Sequence, residues 1–396
     1  MNKAVPELRF PGFKGSWERQ KLGNFFEEFR KNSTEPDQFE VLTSARSGLV
    51  PQREYYGEGR IVDRDNVGFN IIPPNYVTYR SRSDDRRFFF NENKTGKTGI
   101  ISVYYPVFRV GNGSNKFFIE LLSNKQHYIG KFSVGTSQTV LSLNELKKIR
   151  LRVPSESEQQ KIADFLDTVS RKITLLSDKK TALEDYKRGL MQRLFSRELR
   201  FTRDDGSAFP DWEERRLGSL GRFTGGGTPD TNTSAYWLGE TAWISSSDLS
   251  EGNIRALRIE RRITDQAIRD SATQITPKGA VLIVARVGIG KCAIATENLC
   301  TSQDFSNFVP KSGVAEFFAY WLCHNQHKLL SLAQGTSIKG ITTHDLKALK
   351  VQLPHPDEQR KIAAALSTLD AKIDALSQKI SEMEAFKNGL LQKLFV

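Results

Sequence analysis

The chain has 396 residues, about two to three times the usual domain length, so a single small domain is excluded. Its 58 Lys and Arg against 46 Asp and Glu leave a formal charge of +12, which favours a polyanionic partner, and 38% hydrophobic residues exclude a disordered composition. The longest purely apolar run, Val281–Ala285, is far short of the roughly 20 residues of a membrane helix, and the first residues lack the apolar core of a secretory signal. A cytoplasmic protein without membrane contact is expected.

In chain order, residues 1–154 carry short β-rich runs such as Ile100–Tyr105 between Gly, Asn and Pro, which predicts an α+β module. Arg80, Arg82, Arg86 and Arg87 fall in one short segment beside Tyr76, Tyr79 and Phe88. Guanidinium forks fit phosphates and guanine edges, while Asp84 and Asp85 also allow a plain, partly neutralised loop. Lys94 and Lys97 form a second basic turn, suited to approaching a nucleic-acid backbone or to a simple hairpin.

Residues 155–196 place Ile162, Val169, Leu176, Leu183 and Leu190 every seven residues, with Leu166 and Ile173 on the complementary position. That spacing predicts a coiled-coil helix. Pro154 stops the preceding strand, and Ser157 is expected to serve the free N–H groups of the helix start. Lys180 and Lys187 interrupt the seam, with apolar stems that pack and ammonium groups that reach water or another protein.

Residues 197–354 form a second module with Gly225-Gly226-Gly227-Thr228-Pro229, Trp243–Leu249, a strand at Val281–Ala285 and glycine turns at Arg286–Lys291 and Gly335–Gly340. Thr228, Ser245, Ser246, Arg286, Lys291, Thr336 and Lys339 are candidate donors to phosphates, although ordinary loops use the same residues. Residues 355–396 repeat the seam with Ile362, Leu369, Leu376 and Leu390, and with Leu366, Ile373 and Ile380. Asp357 marks the start and Lys387 interrupts the seam.

The chain contains itself twice. Gly135–Phe195 aligns without a gap on Gly335–Phe395 at an offset of 200, with about 25 identities in about 61 positions. Leu8-Arg9-Phe10 with Trp17-Glu18 recurs as Leu199-Arg200-Phe201 with Trp212-Glu213. No register aligns 25–134 with 222–334, so the frame repeats and its contents are expected to differ. Helices of about 38 residues would be about 57 Å long. An antiparallel pair of them predicts two globular modules at opposite ends, related by a pseudo-two-fold axis.

Catalytic and metal chemistry find no constellation. Gly290-Lys291 and Gly96-Lys97-Thr98 resemble a P-loop end, but Ala285 and Asn91 occupy the place of its earlier glycine. The five histidines form no His-Glu-x-x-His pattern, His324 and His327 read as a helix-surface pair, and Cys292, Cys300 and Cys323 read as small buried side chains.

Taken together, the Leu-Arg-Phe…Trp-Glu starts, the Gly-Gly-Thr-Pro and Trp-Ile-Ser segments, the Gly-Thr-Ser turns and the Pro…Glu-Gln-x-Lys-Ile-Ala helix starts resemble the specificity (S) subunits of type I restriction-modification enzymes. The resemblance covers nearly the whole chain. It implies target-recognition domains at 1–154 and 197–354, each reading one half of an asymmetric bipartite site on double-stranded DNA. It implies conserved coiled-coil helices at 155–196 and 355–396 that set the spacer and dock two modification (methyltransferase) subunits. Restriction/translocase subunits would complete the complex. This chain would hold no cofactor and no catalytic residue, with S-adenosylmethionine, ATP and Mg2+ on its partners. The competing reading from the residues is a two-headed coiled-coil adaptor that binds proteins.

Overall fold

The computed structural model describes residues 4–46, 48–57, 66–335 and 339–396. The chain divides into two compact units, Met1–Leu176 with Lys379–Val396, and Ser177–Gln378. Each holds one α+β module, the beginning of one long helix and the end of the other. The long helices run Glu156–Phe195 and Pro356–Leu394.

In the first unit, a four-stranded antiparallel sheet has the order Phe26–Phe29, Val107–Val110, Val77–Tyr79, Phe90–Glu92. A second sheet has the order Gly48–Pro51, Glu40–Ala45, Gly99–Ile101, Asn70–Ile72, with its central pair parallel. Helix Asn115–Asn124 starts at Ser114, whose hydroxyl accepts from the Phe117 N–H, and it buries Phe117, Phe118, Leu121 and Leu122. Ile162, Leu166 and Val169 from the start of one long helix share that core with Leu390, Leu394 and Phe395 from the end of the other. The two helices are therefore antiparallel where they pack in this unit.

The second unit repeats the plan. Its sheet has the order Gly221–Gly225, Ser306–Pro310, Val281–Ile283, Cys292–Ile294, and a smaller sheet again pairs two strands in parallel, Thr241–Ile244 with Leu299–Thr301. Helix Ala315–His324 occupies the place of Asn115–Asn124, and Ile362 and Leu366 meet Met191 and Leu194. The expectation that the contents of the frame differ is thus corrected at the level of topology. Gly113, Phe117, Phe118, Gln126 and His127 recur at Gly313, Phe317, Phe318, Gln326 and His327, so the repeat begins upstream of Gly135. Strand connections of unequal length hide it further back.

The repeated motifs meet in one buried cluster per unit. Arg9 donates to both carboxylate oxygens of Glu158 (2.8 and 2.7 Å), and the Trp17 indole N–H donates to the same group at 3.3 Å. Arg200, Trp212 and Glu358 repeat this at 3.1, 2.9 and 3.1 Å. The side-chain amides of Gln159 and Gln359 donate to the carbonyls of Pro154 and Pro354. The closing phenylalanine of each long helix completes the core, Phe395 against Trp17 and Phe117, and Phe195 against Phe317.

Three sequence expectations about the helices change. At the second helix start, the imidazole of His355 accepts the Asp357 N–H, while the Asp357 carboxylate pairs with Arg360. Lys187 does not reach water: its ammonium is buried, 2.5 Å from Asp370 and 2.8 Å from the Gly252 carbonyl. Along the seam Leu369, Ile373 and Leu390 are buried, whereas Ile173, Leu176, Leu183, Leu190, Leu376 and Ile380 are half-buried.

Candidate nucleic-acid interface

The two basic segments picked out from the sequence occupy the same place in the two modules. Arg80–Arg87 connects Val77–Tyr79 to Phe90–Glu92, and Arg286–Lys291 connects Val281–Ile283 to Cys292–Ile294. Each lies beside a segment that follows a Gly-Thr-Ser sequence, at 135–137 and 335–337. Arg82–Ser83 pairs with Thr139–Val140, and Ile341 N–H donates to the Ala285 carbonyl at 2.8 Å. Thr336 lies outside the described residues.

In the first module the hairpin tip is shaped by Asp85. Its carboxylate accepts from the Ser83 hydroxyl at 2.8 Å and the Arg87 N–H at 3.1 Å, and it pairs with Arg46 at 2.9 Å. The Ser83 bond is the main reason this carboxyl is held below its ordinary value. Its ion-pair partner is therefore Arg46, from another strand end, and among the described residues none of the four hairpin arginines has a carboxylate at ion-pair distance. Arg80, Arg86 and Arg87 are exposed, and Arg82 is half-buried with its guanidinium 3.8 Å above the Tyr104 ring. Lys94 and Lys97 sit at the opposite end of strand Phe90–Glu92, on a turn closed by Asn93, whose amide donates to the Ile72 and Lys97 carbonyls. The structure does not bring them to the arginines.

In the second module Arg286, Lys291 and Lys339 line a 440 Å3 cleft with Glu251, Gln326 and Leu330. The Lys291 ammonium is tied to the Leu249 carbonyl at 3.2 Å, whereas Arg286 and Lys339 are exposed. Gly340 leaves room for the Arg286 stem, since a Cβ there would lie 3.1 Å from Arg286 Cγ.

The glycine and Trp-Ile-Ser segments are largely absorbed by the fold. A Cβ on Gly226 would stand 1.9 Å from the Ser302 carbonyl oxygen, and the Trp243 indole N–H donates to the Gly227 carbonyl at 2.9 Å. The Thr228 hydroxyl donates to Gln303. The Ser245 N–H donates to Asp248 at 2.8 Å, its hydroxyl accepts from Arg261 at 2.7 Å, and Ser246 is half-buried beside it. Burial pushes the Asp248 carboxyl up, but the Ser245 and Arg261 hydrogen bonds outweigh it and hold the group below its ordinary value.

Among the described residues no cluster of His, Cys, Asp and Glu could hold a metal ion, and no helix is long and apolar enough to cross a membrane. His324 is not on an open surface but stacks on Phe195 at 5.1 Å, and burial lowers its pKa. Cys292 and Cys300 are buried, while Cys323 is half-buried. Sequence reasoning missed Arg46 and Tyr104. Ile100–Tyr105 reads as a strand, but the strand ends at Ile101 and Tyr105 N–H closes a turn onto the Ser102 carbonyl, which exposes Tyr104.

A family model described as the type I restriction modification DNA specificity domain matches residues 15–185 and again 210–385. The chain is 34% identical over 208 residues to the type I restriction enzyme MjaIX specificity subunit of Methanocaldococcus jannaschii, a match spanning 50% of this chain and 48% of that protein. It is 27% identical over 251 residues to the EcoR124I/EcoR124II specificity subunit of Escherichia coli, covering 60% and 58%. The chain thus matches about half the length of these curated relatives. The S subunit of a type I restriction-modification system from M. genitalium has the same fold, with a TM-score of 0.63 at 15% identity over 99% of both chains.

Proposed function

Because the chain belongs to the type I restriction-modification DNA specificity family, we propose that it is the sequence-reading subunit of a methyltransferase and endonuclease complex, itself without catalytic residues. The observation that carries this reading is the pair of equivalent basic hairpins, built on one topology and bearing different side chains. Arg80, Arg82, Arg86 and Arg87 in one module, and the exposed Arg286 and Lys339 in the other, would face different halves of an interrupted double-stranded site. Unlike surfaces on like scaffolds make the two half-sites different, and uncontacted base pairs between them form the spacer.

The helices would dock two modification subunits, joined by restriction/translocase subunits. S-adenosylmethionine, ATP and Mg2+ belong to those partners, and this chain's part is to hold them over a chosen sequence. Genome-wide mapping of N6-methyladenine tests the proposal in cells with and without this chain, in the presence of its modification partner. The expected result is a bipartite methylated motif that vanishes on deletion. Methylation that persists unchanged, or that follows a continuous motif, would overturn the DNA-specificity role in favour of a protein-binding adaptor.

A further inference from the structure

The first module has an exposed patch in which one arginine differs from its neighbours in position, burial and ring contact. Arg82 sits on a strand, not at the hairpin tip. Its cross-strand partner is Val140, and Val140 in turn bridges to Val134. Directly opposed residues in antiparallel pairs share a face, so Arg82, Val140 and Val134 form a row across three chain segments. Val134 is 68% exposed and Val140 39%, while Tyr104, which carries the Arg82 guanidinium on its ring, is 50% exposed.

The arrangement is pre-organised. Ser81, next to Arg82, donates to the Tyr104 carbonyl from its N–H at 3.3 Å and from its hydroxyl at 2.6 Å, which locks the two backbones together. A guanidinium stacked on a ring uses its face for the contact and leaves its N–H edge free. Two such N–H groups match the O6 and N7 acceptors of guanine in the major groove. A phosphate would accept the same edge, but phosphates are met by exposed cations, as Arg86 and Arg87 are here. The apolar row beside Arg82 suits base edges and methyl groups instead, since it gains nothing from facing a phosphate.

We infer that Arg82, held against Tyr104, reads a guanine in the half-site of the first module, with Val140 and Val134 against the neighbouring base edges. This rests on the DNA-specificity reading above. The second module has no such row, because Gly340 and Gln334 stand where Val140 and Val134 stand in the first. The Tyr104 stack and the valine row, and with them this contact, therefore belong to the half-site of the first module, and Tyr104 and Ser81 are positioning residues.

The test is the methylated motif directed by the full chain with its modification partner, comparing Arg82→Ala, Tyr104→Phe, Tyr104→Ala and Arg87→Ala with the unaltered chain. Arg82→Ala is expected to make one G·C position of one half-site degenerate, erasing a preference of about 5- to 150-fold there, and to leave the other half-site intact. Tyr104→Phe should retain the motif, Tyr104→Ala should relax the same position, and Arg87→Ala should weaken binding without changing the motif. An unchanged motif in Arg82→Ala overturns the inference. If that variant methylates nothing, competition binding of the purified complex decides. Loss of discrimination at a single guanine supports the assignment, and discrimination retained at every position overturns it. An unaltered chain that directs no bipartite motif would sink the DNA-specificity reading itself, a result distinct from failure of the Arg82 assignment.

Discussion

At the scale of single residues, buried charge separates the two otherwise similar halves. Lys187 and Lys387 are equivalent in the repeat, yet Lys187 pairs with buried Asp370, which also accepts from the Tyr320 hydroxyl at 2.6 Å, whereas Lys387 pairs with partly exposed Glu120. Removing one member of a buried pair strands the other. Asp370→Asn should therefore cost about 3–5 kcal/mol in urea unfolding, and Glu120→Gln about 1 kcal/mol or less. Asp248 gives a pH signature. Its folded carboxyl lies below the ordinary value, so its contribution is complete above about pH 4 and is lost as pH falls through the lower folded value. The acid limb of stability against pH should flatten in Asp248→Asn, as followed by thermal unfolding. None of these pairings was legible from heptad spacing, which marks a lysine on the seam without saying whether a carboxylate waits for it.

At the scale of elements, the long helices and their starts were readable because periodicity and motif are local. The reason for the motifs was not. Leu-Arg-Phe and Trp-Glu lie about 150 residues from the Glu-Gln that they contact, and only the folded chain brings Arg9 and Trp17 to Glu158. In the sequence the glycine-rich segment offers Thr228 as a donor to phosphates, but tight packing explains its glycines: Gly226→Ala should destabilise the second unit by about 2 kcal/mol or more, seen as a lower midpoint in denaturant. The hairpin tip is expected to meet the DNA backbone. Arg86→Ala with Arg87→Ala should reduce the slope of log affinity against log salt by about 0.9 for each phosphate that is no longer neutralised, measured by titration on cognate DNA.

At the scale of the whole molecule, division of the chain into two compact units makes a prediction about independence. Arg82 belongs to one unit and Arg286 to the other, with no shared partner among the described residues, so their substitutions should add. Binding of cognate DNA by the double variant should match the sum of the single effects within about 0.5 kcal/mol. A larger coupling would mean that the modules do not read separately. The sequence by itself determined the twofold frame, the basic character, the two long helices and the family resemblance, because repetition, charge and periodicity are properties of residues taken in order. Only the tertiary structure decided that the unlike central regions share one strand order and that their two basic segments are the same hairpin. It also decided that Thr228, Ser245 and Lys291 already have partners inside the fold, while Arg82 is set on Tyr104. Those facts depend on strand pairing and burial between residues far apart in the chain, which no local pattern records.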